Sequence, residues 1–331
     1  MIEPARHAAT DGFAVDSPAL APQPRTVQVL LAGLALAAFV PLAAAVGTAG
    51  RLWPPAEAWR APLELFEPET ARVPEAAEGV VRVSLMPADK LFSLFVERGY
   101  LLEDTKLAND PVPRMVVEGL PRDLAALESS DLRKAVFIKS LLPLLLLENE
   151  RILADRARLE KVLARIDAGD APGGLDAAFL ADIAERYDVP VDRPLEMLRR
   201  VDAVPVSLAL AQAALETGWG TSRPAQAGHA LFGQMVYRDE DDDGRVRRFA
   251  ALPDAVAAYA LNLNTHRAYG EFRRARAAAR GDGKPHDGHA LAQHLQRYSE
   301  RRMDYVRDVR AVMRANGLRA LDKARLDGDP S

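Results

Sequence analysis

Residues 204–220 read VPVSLALAQAALETGWG, and this run decides what kind of domain carries it. Pro205 suits the first turn of a helix, where its missing N–H goes unneeded. Leu208, Ala211, Gln212 and Leu215 recur at spacings of three and four, which predicts one buried helical face. Gly218 is placed to end the helix in a left-handed conformation that costs glycine little. Glu216 therefore falls in the last turn, beside Trp219. The C-terminal end of a helix carries about −0.5 of an elementary charge, which disfavours a carboxylate there. An indole alongside would strip water from it and raise its pKa further. A carboxyl that keeps its proton near neutral pH is what a general acid needs. Glu216 is thus the first candidate catalytic residue.

From Leu175 onward the pattern is helix after helix, with one interruption. Met235–Tyr237 and Val246–Phe249 carry strand-type residues. Between them stand the acidic Asp239–Asp243 and then Gly244, a hairpin signal. A helix is expected over Asp254–Arg267. Upstream, Asp131–Ile166 is a long helical pattern with Pro143 inside. Its Leu141–Leu147 stretch is too short to span a membrane and reads as a buried segment kinked at the proline. Val80–Leu85 reads as a short strand, Pro87–Arg98 as a helix closed by Gly99, and Pro111-Val112-Pro113 as a break. Ala171-Pro172-Gly173-Gly174 reads as the loop where a new domain starts.

Thr26–Gly50 contains no charged residue and is long enough for a helix to cross a bilayer. It reads as a retained transmembrane signal anchor or as a signal peptide cleaved near Ala43-Ala44-Ala45, with a buried soluble helix as the bland alternative. Arg6 and Arg25 before it balance Arg51 and Arg60 after it, so charge does not set the orientation. Trp53–Gly79 is rich in proline and reads as an extended spacer. The resulting plan is an N-terminal tail (1–25), the apolar span (26–50), a Pro-rich spacer (51–80), a helical membrane-proximal region (81–170), the main domain (171–320) and a C-terminal tail (321–331).

The chain has 331 residues, 49% hydrophobic and 27% charged, with no cysteine and a net charge of −4. Without cysteine there are no disulfides, iron–sulfur clusters, thiolate zinc sites or thiol nucleophiles. The acidic balance gives no global field for nucleic acid. His286, His289 and His294 lie close in sequence, but no H-E-x-x-H pattern accompanies them and no metal is expected. Phosphate-loop and G-x-S-x-G motifs are missing too, and no cofactor is expected.

Residues 211–234, AQAALETGWGTSRPAQAGHALFGQ, resemble the N-acetylglucosaminidase domain of glycoside hydrolase family 73. That family's pattern is A-x-A-x-x-E-[ST]-G-[WY]-G-x-S followed by L-F-G, and the likeness is greatest to its Bax-type branch from Gram-negative bacteria. Residues 131–154 (DLRKAVFIKSLLPLLLLENERILA), 257–269 (AAYALNLNTHRAY) and 297–306 (RYSERRMDYV) extend it, over roughly residues 110 to 316. The resemblance implies a mainly α, lysozyme-like domain with a small β-hairpin lobe. The implied activity is hydrolysis of the β-1,4 bond after N-acetylglucosamine in peptidoglycan glycan strands. It implies Glu216 as proton donor and Tyr259 as an active-site tyrosine. Trp219, Phe232, Gln234 and Asn264 would line the substrate. A second acid would come from the hairpin, with Glu240 and Asp239 as the picks.

Two departures accompany the match. His229-Ala230 stands where the family usually shows an Asn before L-F-G, and the hairpin acid has no certain counterpart. At ~5–5.5 Å from Glu216 such an acid would be a nucleophile, and at ~6.5–9.5 Å it would activate water. A third route uses the substrate's own 2-acetamido oxygen. The implied setting is the inner membrane, anchored once through residues 26–50 with the domain in the periplasm. Two other functions share these residues: a lysozyme or lytic transglycosylase of the same fold, and a non-catalytic glycan-binding envelope scaffold.

Overall fold

The computed structural model describes residues 79–100, 111–236 and 245–328. The first strand, β1 (Val81–Val83), pairs in parallel with β2 (Met115–Val117), Val81 standing opposite Met115. Parallel neighbours need a crossover. Helix α1 (Ala88–Glu97) lies within it and buries Leu91 and Phe95. The strand and helix expected here are present. β2 was not foreseen, because three residues between Pro113 and Gly119 carry too little pattern.

Ser129 caps the long helix α2 (Ser130–Asp167), its hydroxyl accepting from the Leu132 N–H at 3.2 Å. Pro143 is accommodated inside, and Leu141, Leu142, Leu144 and Leu145 are all buried. The apolar stretch is therefore core, as its length implied. Lys139 is buried on the same helix, its ammonium 5.1–5.7 Å from the ring centres of Phe92, Phe95 and Tyr100. That aromatic cage pins α1 to α2.

Helices α3 (Gly174–Arg186) and α4 (Pro194–Arg200) lead to Asp202, which is 1% exposed. Its carboxylate accepts from Arg280 Nε at 2.9 Å, with the Arg156 and Arg276 guanidiniums each 3.7 Å away. Burial alone would raise its pKa. The arginines outweigh that and hold it low. This buried knot fixes the start of α5 (Val206–Thr217). Asn149 of α2 adds two hydrogen bonds to the backbone of Val204, at 2.8 and 2.9 Å.

The short helix α6 (Arg223–Gly228) follows. Then β3 (Met235–Val236) pairs antiparallel with β4 (Arg245–Val246), Met235 opposite Val246. Helix α7 (Leu252–Thr265) fulfils the helix expected at 254–267. It is followed by α8 (Gly270–Gly281), α9 (Gly288–Leu291) and α10 (Met303–Ala315). α5 is flanked by α2, by α10 and by a 3₁₀ turn at Leu318–Lys323.

Two expected boundaries look different in this arrangement. The loop at 171–174 is a turn between α2 and α3, and α2 packs on α5 and α7 across it. Nor are the residues after 320 a loose tail up to 328. The Asp322 carboxylate accepts from the Ser207 N–H at 2.9 Å, the Ser207 hydroxyl at 2.8 Å and the Gly288 N–H at 2.9 Å, capping α5 and α9 together. Beyond it, Arg325 and Asp327 bracket Val112 by backbone hydrogen bonds of 2.7 and 2.8 Å.

Among the described residues no helix is long and apolar enough to cross a membrane. The span expected at 26–50 lies outside them. So do the hairpin's turn and, with it, Asp239 and Glu240.

Candidate active site

Glu216 projects from the last turn of α5. Immediately after it the backbone turns left-handed for three residues, with φ of +57° at Gly218, +60° at Trp219 and +79° at Gly220. The Trp219 N–H returns to the Ala214 carbonyl at 3.0 Å. The Thr217 hydroxyl donates to the Ala213 carbonyl at 2.6 Å and accepts from the Gly220 N–H at 2.8 Å. Position 220 has no room for a side chain: a Cβ there would stand 2.7 Å from Leu120 Cδ1 and 2.9 Å from Phe137 Cδ2. Trp219 holds its own left-handed backbone at a cost of roughly 1–2 kcal/mol. Its indole packs edge-on against Phe137 of α2, ring centres 5.7 Å apart, with Lys134 Nζ 5.4 Å above the ring.

The indole's described ring contacts are thus with α2. Gly233, just before β3, approaches so closely that a Cβ on it would stand 2.7 Å from Glu216 Oε2. From α10, the Tyr305 hydroxyl stands close enough to the same carboxyl to act on its charge. Burial raises the Glu216 pKa above its ordinary value. The Tyr305 hydroxyl favours the charged form and opposes the rise without cancelling it. Tyr269, Tyr298 and Tyr305 have their phenols pushed up by burial first, and each also feels the Glu216 charge. The carboxyl sits in a tyrosine-lined recess.

A chain of hydrogen bonds runs behind it. The Tyr259 hydroxyl donates to Gln212 Oε1 at 2.8 Å, and Gln212 Nε2 donates to the Tyr305 hydroxyl at 2.9 Å. Tyr305 in turn favours the charged form of Glu216. Tyr259 is wholly buried and stacks on Phe232, ring centres 3.9 Å apart. It reaches Glu216 only through Gln212 and Tyr305, so it positions the acid rather than facing open space. Phe232 is 2% exposed, and its carbonyl accepts from the Tyr298 hydroxyl at 2.8 Å. It is a wall of the recess from behind.

Gln234 is half-buried at the start of the hairpin. Its Nε2 donates to the Ala258 carbonyl at 3.3 Å, and its Oε1 has no partner among the described residues. Asn264, expected to touch substrate, belongs instead to the Asp202 knot: it is fully buried and donates to the Asp202 carbonyl at 3.1 Å. Asn262, two residues earlier on α7, is turned toward Tyr269 instead, where it opposes the rise in that phenol's pKa. The three clustered histidines go separate ways. His286 lies by Asp202, His289 by Arg314 and His294 by Gln293.

Tyr305, Tyr298 and Gly233 had no role assigned from the sequence. Gln212 did leave a signal, a polar residue on a stripe of Leu and Ala. Leu215, placed on that buried stripe, is 36% exposed. The last turn of α5 rolls out of the core and presents Leu215 outward as it turns Glu216 toward α10.

The family profile for glucosaminidase, described as mannosyl-glycoprotein endo-beta-N-acetylglucosaminidase, matches residues 195–318. That span holds the recess, the hairpin and α10, and it marks a glycoside hydrolase domain of the kind that acts on glycoconjugates. The chain belongs to the glucosaminidase family, in its Bax-type branch. It is similar to Protein bax of Escherichia coli (strain K12), 32% identical over 205 residues that cover 59% of this chain and 73% of that protein. No solved structure matches it.

Proposed function

We propose that this glucosaminidase hydrolyses the β-1,4 bond after N-acetylglucosamine in bacterial peptidoglycan, with Glu216 as the general acid. The observation that carries the reading is the raised pKa of Glu216 between Gly233 and Tyr305. A carboxyl kept protonated by burial hands its proton to the departing glycosidic oxygen as the bond breaks. The oxygen leaves as a neutral hydroxyl, and positive charge develops on the sugar ring. The hydroxyl of Tyr305 then steadies the carboxylate that the transfer creates. Asp239 or Glu240 is proposed to supply the second acid, as nucleophile or as the base that activates water, with attack by the substrate's 2-acetamido oxygen as the third route; in each, water ends on the anomeric carbon and its proton restores the acid pair. Trp219, Gln234 and the hairpin strands are proposed to border the sugar path. In this reading residues 26–50 anchor the chain in the inner membrane and the domain works in the periplasm.

The test is product chemistry. Purified full chain incubated with sacculi is expected to release soluble fragments with N-acetylglucosamine at the new reducing ends. Glu216→Gln should remove the release, with a loss of roughly 10²–10⁴-fold in rate, while circular dichroism stays unchanged. Release of 1,6-anhydro ends would identify a lytic transglycosylase, and binding to sacculi without any product would identify a scaffold.

A further inference from the structure

Next to the turn that follows Glu216 lies a second feature, a cavity of about 550 Å³ bordered by Thr221. The Thr221 hydroxyl donates to the Gly218 carbonyl at 2.8 Å, so the cavity wall and the left-handed turn are one piece. Arg122, Arg223 and Arg248 border this space, and among the described residues no acidic one does. Arg122 and Arg223 form no ion pair with a described residue, which leaves like charges together around an open volume. Such an arrangement is a site for an anion, since a planar guanidinium offers paired donors to a carboxylate or phosphate.

The wall is built rather than incidental. Arg248 is held by its Nη2 bond to the Ala227 carbonyl at 2.8 Å, and its stem fills the space where a Cβ on Gly228 would stand, 3.0 Å away. The His229 ring is likewise fixed against Gly119, whose Cβ would lie 3.0 Å from Cε1. Two side-chain atoms of bordering residues, Gln226 Nε2 and His229 Nδ1, are closed off from solvent and have no hydrogen-bond partner among the described residues. Leu85 adds an apolar edge, which suits an anion carried on an aliphatic stem better than a bare phosphate.

We propose that this cavity holds a carboxylate of the peptide borne by the glycan strand. The inference rests on the peptidoglycan reading above and sharpens it: the enzyme takes strands whose peptide is present and carries a free acid. It also gives the segment before α2 a task, because Leu85 and Arg122 come from it. That wall packs beside α6 and reads the substituent while α5 attends to the sugar.

The experiment uses the full chain carrying Glu216→Gln, titrated calorimetrically with three ligands. They are a disaccharide–peptide fragment with free carboxyls, the same fragment amidated, and peptide-free glycan. Adding Arg122→Gln and Arg223→Gln is expected to weaken binding of the free-acid fragment about tenfold or more. Affinity for the other two should stay within about twofold, with an unchanged melting temperature. Equal loss on all three ligands, or no loss on the free acid, overturns the proposal. So does a site that takes inorganic phosphate yet binds free and amidated fragments alike. Turnover of sacculi by the unmodified chain is read separately. Absence of cleavage beside an arginine-dependent preference for the free acid would sink the reaction assigned above and leave this site standing.

Discussion

The hydroxyl of Tyr305 on α10 accepts from the side-chain amide of Gln212 at 2.9 Å and stands on the side of Glu216 on α5, where it favours the charged carboxylate. Tyr259 occupies Gln212 Oε1, which turns the amide N–H₂ toward Tyr305.

Removing the hydroxyl with Tyr305→Phe takes away a group that favours ionised Glu216, so the acid should hold its proton to still higher pH. The alkaline limb of the kcat/KM profile is expected to move upward, with the maximum falling about tenfold. Gln212 Nε2 loses its partner in the core, costing about 1–3 kcal/mol of stability. A pH–rate series on soluble glycan fragments, with urea unfolding alongside, checks both. An unmoved alkaline limb would count against the hydroxyl's role.

Gly233→Ala forces a methyl into the 2.7 Å gap beside Glu216 Oε2 on a backbone at φ +61°. The left-handed backbone alone costs about 1–2 kcal/mol. The carboxyl must also swing away from Tyr305. Activity is therefore expected to fall by about 10²-fold, beyond what that modest destabilisation explains. Kinetics well below the melting transition separate the two effects.

The raised pKa of Glu216 makes a signed claim about stability. From pH 4.5, the ordinary value for the group, the unfolded chain gives up this proton while the folded chain keeps it. Native stability then declines as pH climbs through the folded value. Glu216→Gln cannot ionise. Melting curves of the two proteins should coincide below pH 4.5 and separate above it, the variant being the more stable at pH 7 to 8.

Lys139 gives an independent test at the opposite end of the scale. Burial pushes its ammonium down to about 8 from 10.5. Between those values the unfolded chain binds the proton that the folded chain has released, so unfolding free energy should rise with pH over that interval. Lys139→Met is expected to abolish the rise. Guanidinium titrations at pH 7.5, 9 and 10.5 would show it, and a slope that survives in the variant would place its origin in another group.

What could be read along the chain was whatever short spacing decides. The helix at 206–217, its left-handed stop at Gly218, the proline-bearing α2 and the two strands of the hairpin each announce themselves within a few residues. The recess does not, because it is assembled from α5, the Gly233 turn, α7 and α10, whose order in sequence says nothing of their meeting. Tyr305 was visible only as part of a motif without a role. Asn264 was mistaken for a ligand contact because sequence cannot tell which side of α7 faces Asp202. The positive φ of Trp219, whose ring packs on Phe137, leaves no mark in a string of letters. Asp322 reaches α5 and α9 from far along the chain, so its capping was equally hidden.

The fit between Gly233 and Glu216 ties two events that chemistry usually keeps apart. Gly233 leads into the first strand of the hairpin, so under the proposed reaction a sugar leaning on that strand would push against an oxygen of the acid with no slack between them. The grip on the saccharide and the readiness of the proton would then be adjusted by the same small movement of main chain, and a poorly seated ring would meet an acid that is out of line.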